Sequence, residues 1–480
     1  MRAVGRMGGL AVGSALAAFL AAHPSIRPSA QWRPDERVLI SDFSYVDAVA
    51  ASPWTVFAAT RHGLLIYDRV AHAWKPPVTT LDGYPTSRVR TAIADEAGNA
   101  VWLGVGGIDG YVRYDVDARM WTRGTPPPSN ARSLTVEAAL ARAPAADAIR
   151  ALILTDPRLR TYQFTAAAST PDQADLYFGT NGLGLIRVDP RSGEWEALPY
   201  GLIATGLGAI AAAPDGIWAA TNARPGGGER RGLTWIASDL SATRPAEGGG
   251  AALGFTFISA RRLVATAGAL WLATEQGVLR VDPATMRARA FDVPDVTSLA
   301  PAPDGVWVGS RRGLSVITGD GRIVRVSTDF PVWSLVAVRE TLWVGTNAGV
   351  VMLPPGGTGA AAVAALSQPI YAITRAGESI VAATDRSLVW RDSSGAWKEV
   401  PLSLALGRPT TLAADPDGGV WVGDTQGLAR VDLGRAFVRT LTVPMDLPAP
   451  VRDLLADADY LWAATDSGLV RFDRRVARSR

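Results

Sequence analysis

Cysteine is absent from all 480 residues of the sequence. Its absence excludes disulfides, thiolate metal sites, cysteine nucleophiles and a lipoprotein anchor. Histidine occurs only three times, at His23, His62 and His72, which leaves few candidates for a general base or a metal ligand. The sequence contains no HExxH, GxSxG or phosphate-loop motif and no acid–histidine cluster with metal-ligand spacing. We therefore expect no cofactor, no metal site and no enzymatic activity.

Lysine is nearly absent as well, since 46 of the 48 basic residues are arginine and only Lys75 and Lys398 are lysine. The formal net charge of +3 is small for this length, and no block of basic residues occurs. The composition therefore predicts no nucleic-acid partner. Charged residues make up 19% of the chain, below the usual value of about 25%. This low fraction favours β-structure over charged surface helices.

A long hydrophobic run occurs only near the N-terminus. Arg2 and Arg6 precede Met7–Ala22, an apolar and small-residue run of 16 residues. Because a membrane-spanning helix needs about 20 residues, this run is typical of a signal peptide. We predict an export segment over residues 1–30, with an uncleaved anchor as the alternative, and a periplasmic or secreted protein. No later segment is long and apolar enough to span a bilayer.

A ten-residue pattern, exemplified by LWVGTNAGVV, recurs ten times along the rest of the chain. Its second position is aromatic in nine copies, its third position is always apolar, and its fourth position is always Gly or Ala. Internal repeats of this kind decide the fold more firmly than any single segment. The copies begin at Val56, Val101, Leu176, Ile217, Leu270, Val306, Leu342, Ile380, Val420 and Leu461.

Each copy reads as the second strand of a small antiparallel sheet. In the final repeat, a short strand begins at Val451, an apolar strand covers Tyr460–Thr465, and an alternating strand covers Leu469–Asp473. Turn residues separate the strands, and other copies add a fourth strand with an aromatic residue. Four short strands in about 40 residues are typical of a β-propeller blade. The predicted fold is therefore all-β, a β-propeller of about ten four-stranded blades over residues 31–480.

The recurring Trp is interpreted as a packing device. In a strand, residues i and i+2 share a face, so Trp343 and Gly345 face one neighbouring blade while Val344 faces the other. A large ring against a small residue lets twisted sheets interlock. The Arg-x-Asp pairs of the third strands, such as Arg113 and Asp115, recur in five repeats and are interpreted as scaffold for the same reason.

Two features bear on how the blades are arranged. The wide gap between the second and third copies contains a helical pattern, which predicts a small helical decoration at about 127–156. The strand that begins at Glu36 has no partner of its own, and the last repeat lacks a fourth strand. Pairing of these two ends would close a ring. This favours one ring of ten blades over two smaller rings, such as five plus five.

Two stretches carry more than generic propeller character: LDGYPTSRVRTAIADEAGNAVWLGV from Leu81 and MDLPAPVRDLLADADYLWAATDSGLVRFD from Met445. Their order of motifs resembles the two-component regulator propeller repeat. That family forms the extracytoplasmic sensor region of many bacterial hybrid histidine kinases. The chain shows no membrane helix, phosphotransfer region or ATPase domain after Asp473. The resemblance therefore implies a sensor-type propeller without the kinase part.

In propellers, the loops between second and third strands and the loops between blades open on one face around the central channel. Binding residues concentrate in such loops. The mixture of Arg, amides and acids suits hydroxyl-rich or anionic glycans, another small anion, or a protein surface. The candidate binding residues are Arg61, His62, Asp82, Tyr84, Asn181, Asn222, Arg224, Glu275, Gln276, Arg311, Arg312, Asn347, Arg386, Gln426 and Asp466.

Three functions remain open. The first is an exported binding module that senses a ligand or holds a protein partner in the cell envelope. The second is a structural or assembly subunit that docks on an envelope complex through the helical insertion. The third is a glycan-directed lyase or hydrolase, for which His62 is the one candidate base placed in a loop.

Overall fold

The computed structural model describes residues 32–33, 35–128, 133–143, 160–223, 230–248, 259–327, 329–354, 361–363, 366–392, 394–402, 406–435 and 437–479. The predicted export segment lies outside these residues. Arg33–Arg480 is one compact unit. The regular secondary structure of its described part is almost entirely β-strand, and none of the helices there has the length and hydropathy needed to cross a membrane.

The first strand, β1, is Arg37–Ile40, and three antiparallel sheets follow it, which we call blades 1–3. Blade 1 consists of β2 (Val46–Ala51), β3 (Thr55–Thr60), β4 (Gly63–Asp68), β5 (Ala73–Trp74) and the short β6 (Val78–Thr79), which also pairs with β4. A 3₁₀ helix follows at Thr80–Asp82. Blade 2 consists of β7 (Val89–Ala94), β8 (Ala100–Val105), β9 (Tyr111–Asp115) and β10 (Met120–Arg123). After helix α1 (Val136–Arg142), blade 3 consists of β11 (Phe164–Ser169), β12 (Leu176–Thr180), β13 (Leu185–Val188) and β14 (Trp195–Leu198).

Seven more antiparallel sheets, blades 4–10, complete the described chain. Blade 4 consists of β15 (Leu207–Ala213), β16 (Gly216–Thr221), β17 (Gly232–Ala237) and β18 (Thr243–Glu247). Blade 5 consists of β19 (Ala260–Thr266), β20 (Ala269–Thr274), β21 (Gly277–Val281) and β22 (Ala288–Phe291). Blade 6 consists of β23 (Val296–Ala302), β24 (Gly305–Ser310), β25 (Gly313–Ile317) and β26 (Ile323–Ser327). Blade 7 consists of β27 (Val332–Val338), β28 (Thr341–Thr346), β29 (Gly349–Leu353) and β30 (Ala361–Ala362).

Blade 8 consists of β31 (Ala372–Ala376), β32 (Ser379–Ala383), β33 (Ser387–Arg391) and β34 (Trp397–Pro401). Blade 9 consists of β35 (Thr411–Ala414), β36 (Val420–Gly423), β37 (Gly427–Asp432) and β38 (Phe437–Thr442). Blade 10 consists of β39 (Val451–Ala456), β40 (Tyr460–Thr465) and β41 (Gly468–Asp473), and helix α2 (Arg474–Ser479) follows it. The ten four-stranded blades predicted from the repeats are confirmed.

The residues at the repeated positions pack between blades as predicted. Trp343 is buried in one cluster with Ile373 and Ile380 of blade 8, whereas its neighbour Val344 is buried with Ala300 of blade 6 in another. The two faces of β28 thus pack on different blades, as the alternation predicts. The Thr column closes the next turn, because the hydroxyl of Thr346 donates to the carbonyl of the glycine three residues later at 2.9 Å.

The predicted closure by the two chain ends is also confirmed. Strand β1 pairs antiparallel with β41 and supplies the fourth strand of blade 10, with Leu39 opposite Val470. Arg37 at the start of β1 is buried, and its guanidinium donates to the carbonyls of Leu81, Met445 and Asp446. The outer edge of blade 10 is therefore covered by a strand from the other end of the chain.

Blades 4–10 form a closed ring of seven. The first strands of consecutive blades contact one another from β15 to β39, and β39 in turn contacts β15. The amide of Leu335 in blade 7 donates to the hydroxyl of Ser298 in blade 6 at 3.1 Å. The corresponding amide of blade 4, that of Ile210, donates to the carboxylate of Asp453 in blade 10, also at 3.1 Å. Blade 4 thus follows blade 10 as blade 7 follows blade 6.

Blades 1–3 are arranged separately, with blade 1 between blades 2 and 3. Strand β2 contacts both β7 and β11. The hydroxyl of Thr165 in blade 3 donates to the carbonyl of Val46 in blade 1 at 2.5 Å, and Thr297 makes the equivalent bond from blade 6 to Val332 of blade 7. The favoured single ring of ten is therefore wrong, and five plus five is also wrong, because the inter-blade contacts divide the blades into seven and three.

The predicted helical insertion is confirmed in its described part, where helix α1 packs against blade 3. Ala139 and Leu140 of α1, together with Ala143, are buried against Phe178 and Ile186 of blade 3. The segment before the helix extends the contact, since Leu134 bridges to Ala167 of β11. Helix α1 therefore covers the face of blade 3 on which a further blade would otherwise pack. The parts of the predicted insertion at 129–132 and 144–156 lie outside the described residues.

Two connecting segments join the three blades to the ring of seven, and we call them the neck: Ser41–Tyr45, which leaves β1, and Tyr200–Gly206, which enters β15. They lie side by side, with the amide of Leu202 donating to the carbonyl of Ser41 at 2.8 Å and Asp42 bridged to Gly201. Gly201 has a φ of 99°, and a Cβ there would lie 2.5 Å from the Ser41 oxygen. The chain thus leaves the ring and returns to it at one place.

Buried tyrosines give the fold a defined response to alkaline pH. Burial raises the pKa of Tyr114 to about 12 and raises the pKa of Tyr84 and Tyr200 as well. An unfolded tyrosine ionises near pH 10, so the native chain retains more protons above that pH. We expect the free energy of unfolding to fall as the pH rises from about 10 towards 12. Ultraviolet titration of tyrosinate should show at least three tyrosines that ionise only with unfolding, whereas the urea-unfolded chain titrates as one class. Ionisation of all tyrosines near pH 10 with the circular dichroism unchanged would contradict this.

Candidate functional site

The loops that carry the predicted binding residues do share a face with the loops between blades. In blade 6, Arg312 of the second-to-third loop pairs with Asp295 of the preceding between-blade loop, Nε to Oδ2, at 3.2 Å. In blade 8, the carbonyl of Arg386 accepts a bond from the amide of Leu402, which begins the connection to blade 9. We call this face of the ring of seven the channel face.

The structure divides the predicted residues between the two groups of blades. Five of them belong to blades 1–3 and their loops: Arg61, His62, Asp82, Tyr84 and Asn181. Nine belong to loops of the ring of seven: Asn222, Glu275, Gln276, Arg311, Arg312, Asn347, Arg386, Gln426 and Asp466. Arg224 lies outside the described residues. The predicted set is thus not one continuous site.

Two members of the set hold their own loop and do not face a ligand. The Asp82 carboxylate accepts bonds from the amide and hydroxyl of Thr79 at 2.9 and 3.1 Å, and burial raises its pKa. Tyr84 is 3% exposed, and its hydroxyl donates to the carbonyl of Thr60 at 2.7 Å. The prediction treated them as loop residues open to solvent, but the 3₁₀ turn folds both inward.

The remaining members in blades 1 and 3 lie near the neck. Arg61 stacks on the ring of Tyr45, 3.5 Å from its centroid. His62 is exposed, and its Nδ1 lies 2.6 Å from the carbonyl oxygen of Asp42. Asn181 is bridged to Tyr45. Among the described residues no carboxylate is paired with His62, and the Asp42 carbonyl is the group that orients its ring.

The seven first strands of the ring carry a second set of residues at the channel face, which the loop-based prediction missed. In blades 4–7 and 10 the residue is the second of its strand and occupies a β-bulge next to the second-to-third loop. In blades 8 and 9 the equivalent residue immediately precedes the first strand, and its amide bonds across to the second strand. Bulges re-aim side chains and recur near functional sites. We call these the mouth residues: Gly208, Arg261, Thr297, Trp333, Tyr371, Thr410 and Arg452.

An aromatic and cationic arc crosses three successive blades at this mouth. The rings of Trp333 in blade 7 and Tyr371 in blade 8 lie 5.1 Å apart at an angle of 36°. The guanidinium of Arg408, in the loop that leads into blade 9, lies 4.9 Å from the Tyr371 centroid. Both rings are half-buried, and Arg408 is exposed. A ring contact and a cation–π contact of this kind each contribute about 0.5–1 kcal/mol.

The loop that carries Arg408 is held by Asp424, a residue that departs from the repeat pattern. The fifth column is Thr or Ser in eight copies, but in blade 9 it is Asp424. Its carboxylate is fully buried and accepts bonds from the amides of Gln426 and Gly427 at 2.8 and 3.0 Å. It also accepts a short bond from the amide of Gly407, next to Arg408. The Asp424 carboxylate therefore accepts the turn amides that the Thr or Ser hydroxyl accepts in other blades, and it also binds the loop that contains Gly407.

An ion pair spans the ring beside this arc. Arg262 of blade 5 donates through Nη1 to Oδ1 of Asp453 in blade 10 at 3.0 Å and through Nη2 to the carbonyl of Thr410 in blade 9 at 3.3 Å. Asp453 also accepts a bond from the hydroxyl of Thr411 at 3.0 Å. Burial raises the pKa of Asp453, and the adjacent Arg262 opposes that shift. This pair ties blade 5 to the seam between blades 9 and 10.

Carboxylates and guanidinium groups are mixed at the mouth. Asp466 is held by Arg452, whose guanidinium lies 2.6 and 3.0 Å from the two carboxylate oxygens. By contrast, Arg261, Arg311 and Arg408 make no ion pair with any carboxylate of the described residues. In the same part of the chain, no group of three or more acidic or histidine side chains could hold a metal ion. The arrangement can stack a ring and bind an anion.

Comparison with known proteins bears on the fold. No family model and no curated protein matches the sequence. Among solved structures, the chain is similar to the extracellular domain of a B. thetaiotaomicron protein described as a hybrid two-component system, with 13% identity and a TM-score of 0.47, covering 90% of this chain and 69% of that chain. A second such B. thetaiotaomicron domain, described as part of a one-component system, has 11% identity and a TM-score of 0.45 over 89% of this chain and 70% of that chain.

An enzyme is also among the similar structures. A catalytically inactive virginiamycin B lyase from Staphylococcus aureus has 13% identity and a TM-score of 0.45, covering 56% of this chain and 94% of that chain. At these identities the likeness extends to the fold alone, so the site is defined by the residues of this chain.

Proposed function

We propose that the protein is an exported binding module that holds a ligand at the mouth of the ring of seven. One observation carries the proposal: Trp333 and Tyr371 form a half-buried, tilted ring pair at equivalent positions of adjacent blades, with a guanidinium held against the second ring. These rings are not enclosed in a core but lie next to the second-to-third loops on the channel face, where aromatic groups can contact a ligand.

Two features of the sequence support the exported and sensing parts of this proposal. The apolar run after Arg2 and Arg6 has the character of an export signal. The repeat resembles that of extracytoplasmic sensor propellers. A rigid ring that presents variable side chains on one face suits recognition, since a scaffold of this kind keeps its loops in place.

The test compares the two ends of a single strand. Asn347 follows β28 on the channel face, and Glu340 precedes β28 at the opposite end; both are exposed. A photo-crosslinking benzoylphenylalanine replaces one or the other in the native host, and the adducts are identified by mass spectrometry. We expect one defined adduct from position 347, its loss when Trp333 is also replaced by Ala, and no such adduct from position 340. The same adduct from both positions, or none from position 347, would refute the proposal.

A further inference from the structure

We infer that the ligand at the mouth carries a carboxylate attached to a ring, and that Arg408 binds the carboxylate while Trp333 and Tyr371 stack the ring. This inference rests on the proposed function and specifies the chemistry of the same site. Three observations carry it, namely the position of the rings, the state of the Arg408 guanidinium and the charge around them.

The first observation is the geometry of the platform. The rings of Trp333 and Tyr371 pack on each other with centroids 5.1 Å apart and planes tilted by 36°, and both remain half-buried, so part of their aromatic surface is open at the mouth. An aromatic face stacks with another flat ring or with the apolar face of a sugar ring. An extended chain without a ring would leave this surface poorly covered.

The second observation is that the Arg408 guanidinium is held in place but is not paired with a carboxylate of the described residues. It stacks on Tyr371, and the buried Asp424 anchors the preceding residue, Gly407. Stacking engages the face of a guanidinium and leaves its N–H edge free, and that edge matches the two oxygens of a carboxylate. Arg408 is exposed and makes no ion pair with any carboxylate in the described part of the chain.

The third observation is the charge of the surroundings. The carboxylates near the arc are engaged, Asp453 by Arg262, Asp424 by backbone amides and the exposed Asp385 by Arg386 at 3.8 Å. Arg261 and Arg311 on the same face have no paired acid among the described residues. The guanidinium groups that are not ion-paired favour an anionic ligand over a cationic one.

Two kinds of molecule share this chemistry, uronic acids and aromatic acids. The experiment presents the purified full chain with matched pairs of probes in ligand-observed NMR titrations: galacturonate and glucuronate against galactose and glucose, and benzoate and indole-3-acetate against their carboxamides. We expect members of one acid class to bind about tenfold or more tightly than their neutral counterparts, as one charge-assisted hydrogen-bond pair provides. The class that binds identifies the source.

Matched arginine variants locate the effect. Arg408→Gln should weaken binding of the acid by about tenfold or more and leave the neutral probe unchanged. Arg289→Gln is the control, because Arg289 is also exposed and also lies 4.9 Å from an aromatic centroid, that of Phe291, but on the outermost strand of blade 5. Arg289→Gln should leave binding unchanged.

Several outcomes would overturn the inference: neutral probes that bind as tightly as the acids, acid binding that is unaffected by Arg408→Gln, or no acid binding up to about 10 mM. They are distinguishable from failure of the proposed function. If a neutral probe binds and Trp333→Ala abolishes its binding, the mouth is a binding site and only the carboxylate is wrong. If neither Arg408→Gln nor Trp333→Ala affects the crosslinked adduct from position 347 or the binding of any probe, the proposed function and this inference both fail.

Discussion

Replacing Asp453 with Ala is expected to destabilise the ring of seven by about 3 kcal/mol or more, because a buried ion pair loses one partner. The carboxylate accepts bonds from Arg262, from the amide of Ile210 and from the hydroxyl of Thr411. These three donors come from blades 5, 4 and 9, whereas Asp453 belongs to blade 10. Its removal leaves them unsatisfied at the one place where the ring closes on itself.

The control is a carboxylate that also joins two blades but lies in solvent. Glu378 of blade 8 contacts Arg339 of blade 7 at 3.1 Å and Arg375 at 2.9 Å, and its side chain is 71% exposed. Glu378→Ala should cost less than about 1 kcal/mol, as exposed ion pairs do. Urea unfolding of the two variants measures both values. Equal effects would show that Asp453 does not close the ring.

The ten blades were predictable because the repeated sequence pattern depends on contacts that are local to one or two sheets. Each column of the repeat is set by contacts within one sheet or with the adjacent sheet, as Trp343 shows by packing on blade 8 beside Gly345 of its own strand. The pairing of β1 with β41 was predictable for a related reason, since one unpaired strand and one incomplete blade require each other.

The division into seven and three was not predictable from the junctions. The segment between blades 3 and 4, residues 199–206, is no longer than the junction between blades 9 and 10, residues 443–450. The contacts of Asp42 with Gly201 and of Ser41 with Leu202 show that it runs back along the chain that leaves β1. The packing of helix α1 on blade 3 was also not predictable. Its sequence shows apolar residues at helical spacing but does not indicate that blade 3 covers them.

The loops of the candidate site were predictable, but the mouth residues were not. Trp333 is the second residue of β27, and Tyr371 immediately precedes β31. The pairing register shows that Trp333 occupies a bulge, and the bond from the Tyr371 amide to the Ala383 carbonyl shows that Tyr371 takes the equivalent position. A variable residue at this position in all seven blades of the ring is the signal that could have revealed them.

The ring of seven should fold without blades 1–3. Asp42 and Gly201 are opposite each other in an antiparallel bridge, so a two-residue Asn-Gly turn can join them when 43–200 are deleted. The shortened chain keeps β1, and therefore the fourth strand of blade 10, together with all the mouth residues. It should retain every inter-blade bond of the ring, including that between Asp453 and Ile210.

A matched control removes the same number of blades from within the ring. A chain that lacks blades 6–8, residues 293–402, loses three consecutive members of the closed ring, so blades 5 and 9 each expose an apolar face. Exposed faces of that size cause aggregation or incomplete folding. We expect this chain to be insoluble or to lack a cooperative transition.

The measurement that tests the account most directly is scanning calorimetry of the chain from which 43–200 have been deleted. A closed ring of seven predicts a soluble monomer with a single cooperative unfolding transition and with the mouth crosslink at position 347 preserved. If the ten blades instead form one ring, the deletion would leave an open arc. Loss of the cooperative transition, matching that of the control without blades 6–8, would contradict the account.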